Sequence, residues 1–252
     1  MRETASEPPL SDRLPEIHPA PASLPPELRV YAVGDIHGCD GQLDDLHQMI
    51  AEDAAAAPEA RRVIVYLGDY IDRGPDSGRV LETLRYPPRF GAEAIHLAGN
   101  HEAMMLDALS HPEDTEAARL WIVNGGAEAL GSWGVDPSSV DPRHWAASIP
   151  AEQLAFLRTL RRRTAFGGYL FVHAGIRPGV PLDAQDPDDL LWIREPFLSS
   201  TADHGAVVVH GHTPGRDVIV RRNRIGLDTG AVYGGKLTCA VLWADRLRLL
   251  QA

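Results

Sequence analysis

Five short apolar runs in this chain each stop abruptly at a small cluster of polar residues, and this repeated ending constrains the fold more than any other feature. The clusters are GDIHG, GDYIDRG, GNHE, HAG and HGHT, which begin at residues 34, 68, 99, 173 and 210. Runs such as RVYAV and RRVIVYL are rich in β-branched residues and resemble buried strands that open into a loop. If these strand ends share one edge, their polar side chains converge where ligands bind in open α/β sheets.

Helical segments separate the first three runs and fill the middle of the chain. Residues 42–57 place Leu43, Leu46, Met49 and Ile50 on one helical face. Residues 102–162 are predicted to be mostly helical, with these core candidates: Met104, Met105, Leu106, Leu109, Leu120, Trp121, Ile122, Leu154, Leu157 and Leu160. Residues 164–252 return to strands. This order predicts an α/β protein with two mixed β-sheets packed face to face, flanking helices and a helical insert in the middle.

The amino-terminal residues differ in composition from the rest of the chain. Residues 1–28 contain seven prolines mixed with acidic and small residues, and such a segment cannot bury enough apolar surface to form a core. We therefore expect a flexible proline-rich arm over 1–28 and one domain over 29–252, since 252 residues suit a single large domain.

The net charge of −11 argues against nucleic acid or an anionic membrane as a partner. No apolar run approaches the roughly 18 residues that a membrane helix requires, and the amino terminus lacks the apolar core of a signal peptide. Cys39 and Cys239 are too few for a disulfide framework. We expect a cytoplasmic protein, and the sequence leaves its oligomeric state open.

The side chains that would meet at the strand ends are carboxylates, imidazoles and an amide: Asp35, His37, Asp69, Asp72, Asn100, His101, His173, His210 and His212. Such a cluster is costly to bury without a cation. Mixed nitrogen and oxygen ligands suit Mn, Fe or Zn better than an all-oxygen Mg or Ca site. There are more candidates than one ion needs, which indicates two ions.

Each position taken alone also has an ordinary structural explanation. Aspartates after a strand are often cap or turn residues, histidines at a strand end are often hydrogen-bonded core residues, and an Asp-Arg pair is often a surface ion pair. These alternatives apply to Asp35 and Asp69, to His173 and His212, and to Asp72 with Arg73. A turn or loop position would likewise explain Asn100, His37 and His101. The occurrence of all of them together favours a metal site.

At these residues the sequence resembles the metal-dependent phosphoprotein phosphatase family, within the calcineurin-like metallophosphoesterases. Its motifs Gly-Asp-x-His-Gly, Gly-Asp-x-x-Asp-Arg-Gly and Gly-Asn-His-Glu occur in order, with 29 and then 24 residues between them, and both later histidine motifs follow. The segments LLWIREPF and LDTGAVYGGKLT are similar to the small bacterial and phage branch. The resemblance covers roughly residues 29–245.

The resemblance implies a role for each motif residue. The implied metal ligands are Asp35 and His37 for the first ion, Asp69 as the bridge, and Asn100, His173 and one histidine of HGHT for the second ion. The implied catalytic residues are His101 as general acid, Asp72 as the residue that orients it, and Arg73 and Arg194 as phosphate-binding arginines. Arg194 has the alternative of a surface ion pair with Glu195 or a nearby aspartate. If the chain is still extended at Asn100, the adjacent His101 faces the opposite side.

The two histidines of VVVHGHTPG are equivalent on their chemistry alone, because residues two apart on a strand face the same side. In the family that the sequence resembles, the ligand follows a small residue and precedes a polar one. This pattern implies His212 as the ligand and leaves His210 a role in hydrogen bonding or packing.

The function that the resemblance implies is a two-metal phosphomonoester hydrolase for phosphoserine or phosphothreonine in proteins. A hydroxide shared by the two ions, most simply Mn with Fe or Zn as alternatives, would attack phosphorus in line while His101 protonates the leaving group. A dinucleoside polyphosphate hydrolase is the main alternative, because those enzymes resemble this chain in fold and in GDIHG. A non-catalytic phosphoprotein-binding relative is a third interpretation, and the acidic charge disfavours a nuclease.

Overall fold

The computed structural model describes residues 16–57, 60–138 and 141–252, and its strands form two sheets. The strands are β1 (His18–Pro19), β2 (Leu28–Val33), β3 (Arg61–Tyr66), β4 (Glu93–His96), β5 (Arg163–Phe166), β6 (Tyr169–Val172), β7 (Val207–His210), β8 (Ile219–Val220), β9 (Arg224–Gly226), β10 (Thr238–Trp243) and β11 (Arg246–Gln251). The spatial orders are β1-β11-β10-β2-β3-β4 and β5-β6-β7-β9-β8. Parallel pairing joins β2, β3 and β4 in one sheet and β6, β7 and β9 in the other, while the remaining neighbours are antiparallel. Both sheets are therefore mixed, as predicted.

Most of the helices lie between β4 and β5, where the insert was predicted. The helices are α1 (Asp40–Ala55), α2 (Ser77–Leu84), α3 (Asn100–Ser110), α4 (Thr115–Trp121), α5 (Ala127–Ser132), α6 (Trp145–Ser148), α7 (Ala151–Leu157) and α8 (Pro187–Trp192). A π-helical turn, Ile122–Gly126, joins α4 to α5, and short 3₁₀ turns occupy Pro142–His144, Leu182–Ala184 and Ala231–Tyr233. Within the described ranges, no helix is both long enough and apolar enough to cross a bilayer.

The two sheets pack face to face because alternate residues of each buried strand point in opposite directions. In β2, Val30 and Ala32 belong to the core between the sheets, together with Phe171 of β6 and Val209 of β7. Tyr31 and Val33, which point the opposite way, belong to a second core under the helices. The predicted architecture of two sheets with flanking helices is confirmed.

Five of the ten core residues predicted for the insert are buried, and four more, Leu106, Leu109, Ile122 and Leu160, are partly buried and pack against the core. The predicted core residues that are buried are Met104, Met105, Trp121, Leu154 and Leu157. Leu120 is 43% exposed, so its assignment to the core was wrong. The buried face of α4 is formed by Ala118 and Trp121, which are three residues apart, and Leu120 lies off that face.

Residues 16–28 pack against the domain, which corrects the expectation of a flexible arm for this part of the chain. His18 and Pro19 pair with β11 and form the edge strand of the first sheet, and the Tyr169 hydroxyl donates a hydrogen bond of 2.6 Å to the carbonyl of Ala22. Leu24 is buried in the core between the sheets. Proline is tolerated in an edge strand because the missing N–H is not needed on the open side of the sheet. The burial of Leu24 then anchors the segment. Residues 1–15 lie outside the described part.

Candidate metal centre

The polar loops lie where the parallel strands end. Asp35, Asp69 and Asn100 follow β2, β3 and β4 of one sheet, while His173 and His212 follow β6 and β7 of the other. Parallel strands end at the same edge of a sheet, so each sheet brings its own loops together. Hydrogen bonds between loops of different sheets join the two sets. All of the predicted metal ligands are buried within this one cluster.

Asp69 lies at the centre of the cluster. Its Oδ2 atom is 3.4 Å from His173 Nε2, 3.5 Å from His37 Nε2 and 4.0 Å from His101 Nε2. Burial acts to raise the pKa of Asp69, but the imidazoles of His173 and His101 outweigh burial and hold the pKa well below its usual range. One carboxylate oxygen thus faces imidazoles from both sheets, as a ligand shared by two ions would need to do.

Asn100, His173 and His212 form a group around one oxygen atom. Asn100 Oδ1 is 2.9 Å from His173 Nε2 and 2.8 Å from His212 Nδ1. His173 Nδ1 lies 2.9 Å from the Leu67 carbonyl, so a proton on Nδ1 leaves a lone pair on Nε2. Asn100 Oδ1 and the lone pair on His173 Nε2 are then both acceptors, and at this separation they need a proton or a cation between them. The ligand atoms of Asp69, His173 and His212 also lie within 4.8 Å of one another, so the group could hold a metal ion.

His37 and Asp35 form the other side of the cluster. His37 Nδ1 is 2.8 Å from the Ile71 carbonyl, which directs Nε2 towards Asp69, and a backbone carbonyl partner of this kind is typical of histidine ligands. His37 Nε2 also accepts a hydrogen bond of 2.7 Å from Arg73. The Asp35 carboxylate accepts bonds of 2.9 and 3.1 Å from the backbone N–H of His212.

Negative charge accumulates around Asp35. Burial, together with the neighbouring carboxylates of Asp228 and Asp69, raises the pKa of Asp35 well above its usual range. A divalent cation would relieve this repulsion. The donor set of buried carboxylate, imidazole and amide groups therefore fits a metal centre. On this side of the cluster, the ligand atoms of His37, Asp69 and His101 lie within 4.8 Å of one another, so His101 lies closer to the other ligand atoms than its predicted role as general acid implies.

His101 and Asp72 form the predicted pair. His101 Nδ1 is 2.7 Å from Asp72 Oδ2, and both side chains are almost fully buried. The surface ion pair of Asp72 with Arg73 is therefore not formed. The indole N–H of Trp121 also donates to Asp72, at 3.0 Å to Oδ1 and 3.1 Å to Oδ2. Trp121 was expected only as a core residue, and its position in an apolar helix carries no signal of this contact.

The two arginines differ in how firmly they are held. Arg73 donates to His37, and its guanidinium carbon lies 5.8 Å from the centre of the Tyr233 ring. Arg194 is exposed, and after burial and His173 its positive charge helps to lower the pKa of His212 to about 3. Glu195, the alternative partner of Arg194, accepts a hydrogen bond of 2.6 Å from Ser199 instead.

The side chains of Asn100 and His101 point in different directions, but for a different reason from the one expected. The chain is not extended here, because both residues belong to the first turn of α3. Consecutive residues of an α-helix point about 100° apart. Asn100 faces His173 and His212, while His101 faces Asp72.

His210 and His212 do not face the same side, which corrects the argument from strand spacing. His210 is the last residue of β7, and its ring packs 5.1 Å from Phe197 on the outer face of the sheet. Its Nε2 atom is 3.3 Å from Nη1 of Arg224. His212 lies beyond the strand with a φ of 63°, and this left-handed residue directs its imidazole to Asn100.

The backbone of the cluster is strained. Six described non-glycine residues have positive φ, and five of them belong to the candidate site: His37, Asp69, Asp72, Arg73 and His212. Each such residue costs on the order of 1–3 kcal/mol and persists only where the surroundings enforce it. Strain concentrated in this way is typical of a functional site.

Glu102 is a site residue whose role the sequence motifs did not predict. Its buried carboxylate accepts backbone N–H bonds of 2.8 Å from Gly99, 2.9 Å from Asp69 and 2.7 Å from Tyr70. A β-carbon at position 99 would overlap the Asp69 carboxylate, so the loops meet only because that residue is glycine. Glu102 lies at the third position of α3, where a capping glutamate is common, and this position is the signal that could have revealed it.

Asp228 was also given no role. It follows β9 and ends the run RIGLD, so it repeats the pattern of an apolar run that stops at a polar residue. Burial, which comes first, raises the pKa of Asp228, and the charge of Asp69 adds to the effect. This carboxylate therefore adds to the negative charge that Asp35 and Asp69 bring to the cluster.

Comparisons with known proteins agree with this geometry. The family of calcineurin-like phosphoesterases matches residues 28–233. Serine/threonine-protein phosphatase 1 of Salmonella typhimurium strain LT2 is 33% identical over 223 residues, which cover 84% of this chain and 90% of that protein. The symmetrical bis(5'-nucleosyl)-tetraphosphatase of Nitrosospira multiformis is 26% identical over 275 residues, which cover 87% of this chain and 94% of that protein.

A crystal structure described as that of a candidate diadenosine tetraphosphatase has a similar fold. It superposes with a TM-score of 0.62 and 26% sequence identity, and the match covers 92% of this chain and 98% of the other. The two curated relatives above carry names of phosphate-ester or phosphoanhydride hydrolases. The chain is therefore a hydrolase that belongs to the calcineurin-like phosphoesterase family.

Proposed function

We propose that this protein is a two-metal phosphomonoester hydrolase that removes phosphate from phosphoserine or phosphothreonine in proteins. The observation that carries the proposal is the position of Asp69 Oδ2, within 3.5 Å of imidazole nitrogens of His37 and His173, which belong to different sheets. The serine/threonine phosphatase of Salmonella, at 33% identity, supports a phosphoprotein substrate.

The residues that would hold the two ions lie on either side of Asp69. Asp35 and His37 would bind the first ion, Asn100, His173 and His212 the second, and Asp69 both. Burial lowers the pKa of His37 and of His212 to about 3, so that both imidazoles are neutral at pH 7 and offer a lone pair. Bound divalent ions would lower the pKa of water and neutralise charge on the phosphate. Mn is our choice of metal, and the same nitrogen and oxygen donors also suit Fe or Zn.

The remaining site residues would bind the phosphate and move a proton. Arg73 and Arg194 carry the positive charges that would bind phosphate oxygens while negative charge spreads over them. His101 in its protonated form would use the Nδ1 proton to bind Asp72 and transfer the Nε2 proton to the leaving oxygen. Asp72 would fix the ring through this hydrogen bond, so that Nε2 faces the leaving oxygen.

Hydrolysis of a dinucleoside tetraphosphate is the second candidate function, and two observations favour it. The tetraphosphatase of Nitrosospira aligns with 87% of this chain. In addition, Trp192 and Tyr233 are 43% and 63% exposed, with the Trp192 ring 6.3 Å from His212 and the Tyr233 ring beside Arg73. Exposed aromatic faces of this kind can stack on a base.

The experiment compares kcat/KM for a phosphoserine or phosphothreonine peptide and for diadenosine tetraphosphate, with Mn²⁺ supplied. We expect a preference of about tenfold or more for the peptide, which corresponds to about 1.4 kcal/mol in the transition state. The opposite preference would replace the first candidate by the second. Trp192→Ala and Tyr233→Ala serve as matched variants, because a loss confined to the nucleotide would support stacking on a base.

A further inference from the structure

The Asp72 carboxylate depends on two donors that come from different parts of the chain. His101 provides one hydrogen bond of 2.7 Å, and the indole N–H of Trp121 provides contacts of 3.0 and 3.1 Å to the two oxygens. Asp72 and Trp121 are both fully buried. A carboxylate in such surroundings relies on its donors to compensate for the loss of water.

Trp121 also constrains the plane of the Asp72 carboxylate. The torsion that rotates a carboxylate has a broad, shallow profile, so one hydrogen bond to one oxygen leaves its plane poorly defined. The indole N–H contacts both oxygens and so defines the plane, with Oδ2 turned towards His101 Nδ1. The orientation of the His101 ring is thereby linked to the insert.

The insert also contacts the backbone of the loop that carries Asp72. The carbonyl of Gly125 accepts a hydrogen bond of 3.1 Å from the backbone N–H of Arg73. A β-carbon on Gly125 would lie 2.5 Å from that nitrogen, and one on Gly126 would lie 2.7 Å from the Trp121 indole. The turn Ile122–Gly126 is therefore packed directly between the indole and the loop.

We infer that Trp121 is a positioning residue, which holds the Asp72 carboxylate so that His101 is aligned to give its proton to the leaving oxygen. Trp121 touches neither the phosphate nor the proton itself and acts through Asp72. This inference rests on the proposed role of His101. It assigns part of the helical insert to the chemistry of the site.

Two substitutions of Trp121 separate its hydrogen bond from its bulk. Trp121→Phe keeps most of the ring volume and removes the N–H. Trp121→His removes the larger ring and keeps an N–H, because Nε2 of imidazole occupies the same position in its ring as Nε1 of indole. Trp133→Phe is the matched control, since Trp133 lies in the same insert and its indole N–H donates to Gln153, at 2.9 Å, rather than to Asp72.

The measurements are kcat on a phosphoserine peptide, whose leaving group needs a proton, kcat on p-nitrophenyl phosphate, whose leaving group does not, and the thermal unfolding temperature. We expect Trp121→Phe to lower the ratio of the two kcat values about tenfold, a fraction of what general acid catalysis contributes. Trp121→His should keep much of that ratio although it unfolds at a lower temperature than Trp121→Phe. Trp133→Phe should leave the ratio unchanged.

Equal losses on both substrates, or a ratio that follows stability across the variants, would overturn the inference in favour of a purely structural role. If Trp121→Phe does not fold, Trp121→Tyr tests the same expectation, because its phenol has no donor at this ring position.

A double substitution distinguishes the failure of this inference from failure of the proposed function. In a His101→Asn background, Trp121→Phe should change the ratio no further. If His101→Asn alone leaves the ratio unchanged, the general acid role itself is wrong. If His101→Asn lowers the ratio and Trp121→Phe does not, only the role of Trp121 is wrong.

Discussion

Glu102 accepts a hydrogen bond of 2.9 Å from the backbone N–H of Asp69, and so a buried glutamate of α3 supports the loop that carries the central carboxylate of the site. The same side chain binds N–H groups of Gly99 and Tyr70. Burial and the charge of Asp69 raise the pKa of Glu102 to about 7, and the N–H donors oppose that rise. The position of Asp69 is therefore a product of two loops and not of its own strand alone.

Glu102→Gln is expected to lower the free energy of unfolding by about 2–3 kcal/mol, because an amide replaces one acceptor oxygen by a donor that faces backbone N–H groups. Urea denaturation in the presence of a chelator would measure this loss without a contribution from bound metal. Glu82→Gln is the control, since the ion pair of Glu82 with Arg85 is screened by solvent and should contribute little to stability. Equal effects of both substitutions would contradict the supporting role of Glu102.

Asp69→Asn is expected to abolish phosphatase activity and to reduce bound metal from two ions per chain to one or none. The amide has no charge and only one oxygen, so it cannot serve two ions. Metal analysis of the dialysed protein, alongside the activity assay, measures both effects. The surface substitution Asp45→Asn on α1 should change neither quantity. Full metal content and activity in Asp69→Asn would exclude a bridging role.

His101→Asn is expected to reduce turnover of a phosphoserine peptide at least about a hundredfold, the lower end of what general acid catalysis contributes. The loss on p-nitrophenyl phosphate should be much smaller, because that leaving group is stable without a proton. Steady-state assays on the two substrates are sufficient. The general acid role would not survive similar losses on both. A change in metal content would instead indicate that His101 acts as a ligand, since it also lies 4.0 Å from Asp69.

His212→Ala and His210→Ala are expected to have different consequences. His212 faces Asn100 and should be required for the second ion, whereas His210 packs against Phe197 on the outer face of the sheet. Titration with Mn²⁺ should therefore show one ion lost from His212→Ala and two retained by His210→Ala, with the second bound more weakly. The reverse result would mean that the ligand assignment is wrong.

His96 is expected to make the protein less stable in mild acid. Burial lowers the pKa of His96 to about 4, so between pH 6.5 and pH 4 the unfolded state binds a proton that the folded state does not. Above about pH 6.5 His96 is neutral in both states and does not reduce the free energy of unfolding. Between that pH and pH 5 the free energy of unfolding should fall by about 2 kcal/mol because of His96.

His96→Phe tests this expectation because it keeps a ring to stack on Tyr66 and removes the titration. Between pH 7 and pH 5, urea denaturation of this variant should show about 2 kcal/mol less loss than the wild type. His111→Gln, at an exposed position, should behave like the wild type. An unchanged pH dependence in His96→Phe would show that His96 is not the group responsible.

Local patterns were sufficient for the sheets and for most of the candidate ligands. A buried strand needs apolar residues on both faces, and a strand that ends at a site needs polar residues directly after it, so both features are visible within a few consecutive residues. Asp69 and His173 could be proposed in this way. The burial of Leu24 and of Leu120 could not be predicted correctly. Whether each side chain is buried depends on which parts of the fold pack against it.

The sequence by itself determined the two-sheet architecture and the residue types of the site, because periodicity and strand-end motifs are local properties. Only the tertiary structure decided which side chains meet. Trp121 reaches Asp72 across 49 residues, and Glu102 reaches Asp69 across 33. The left-handed φ of 63° at His212 turns its imidazole away from the direction of β7. Such contacts and strained conformations exist only when the surrounding loops enforce them, and no short stretch of sequence contains that information.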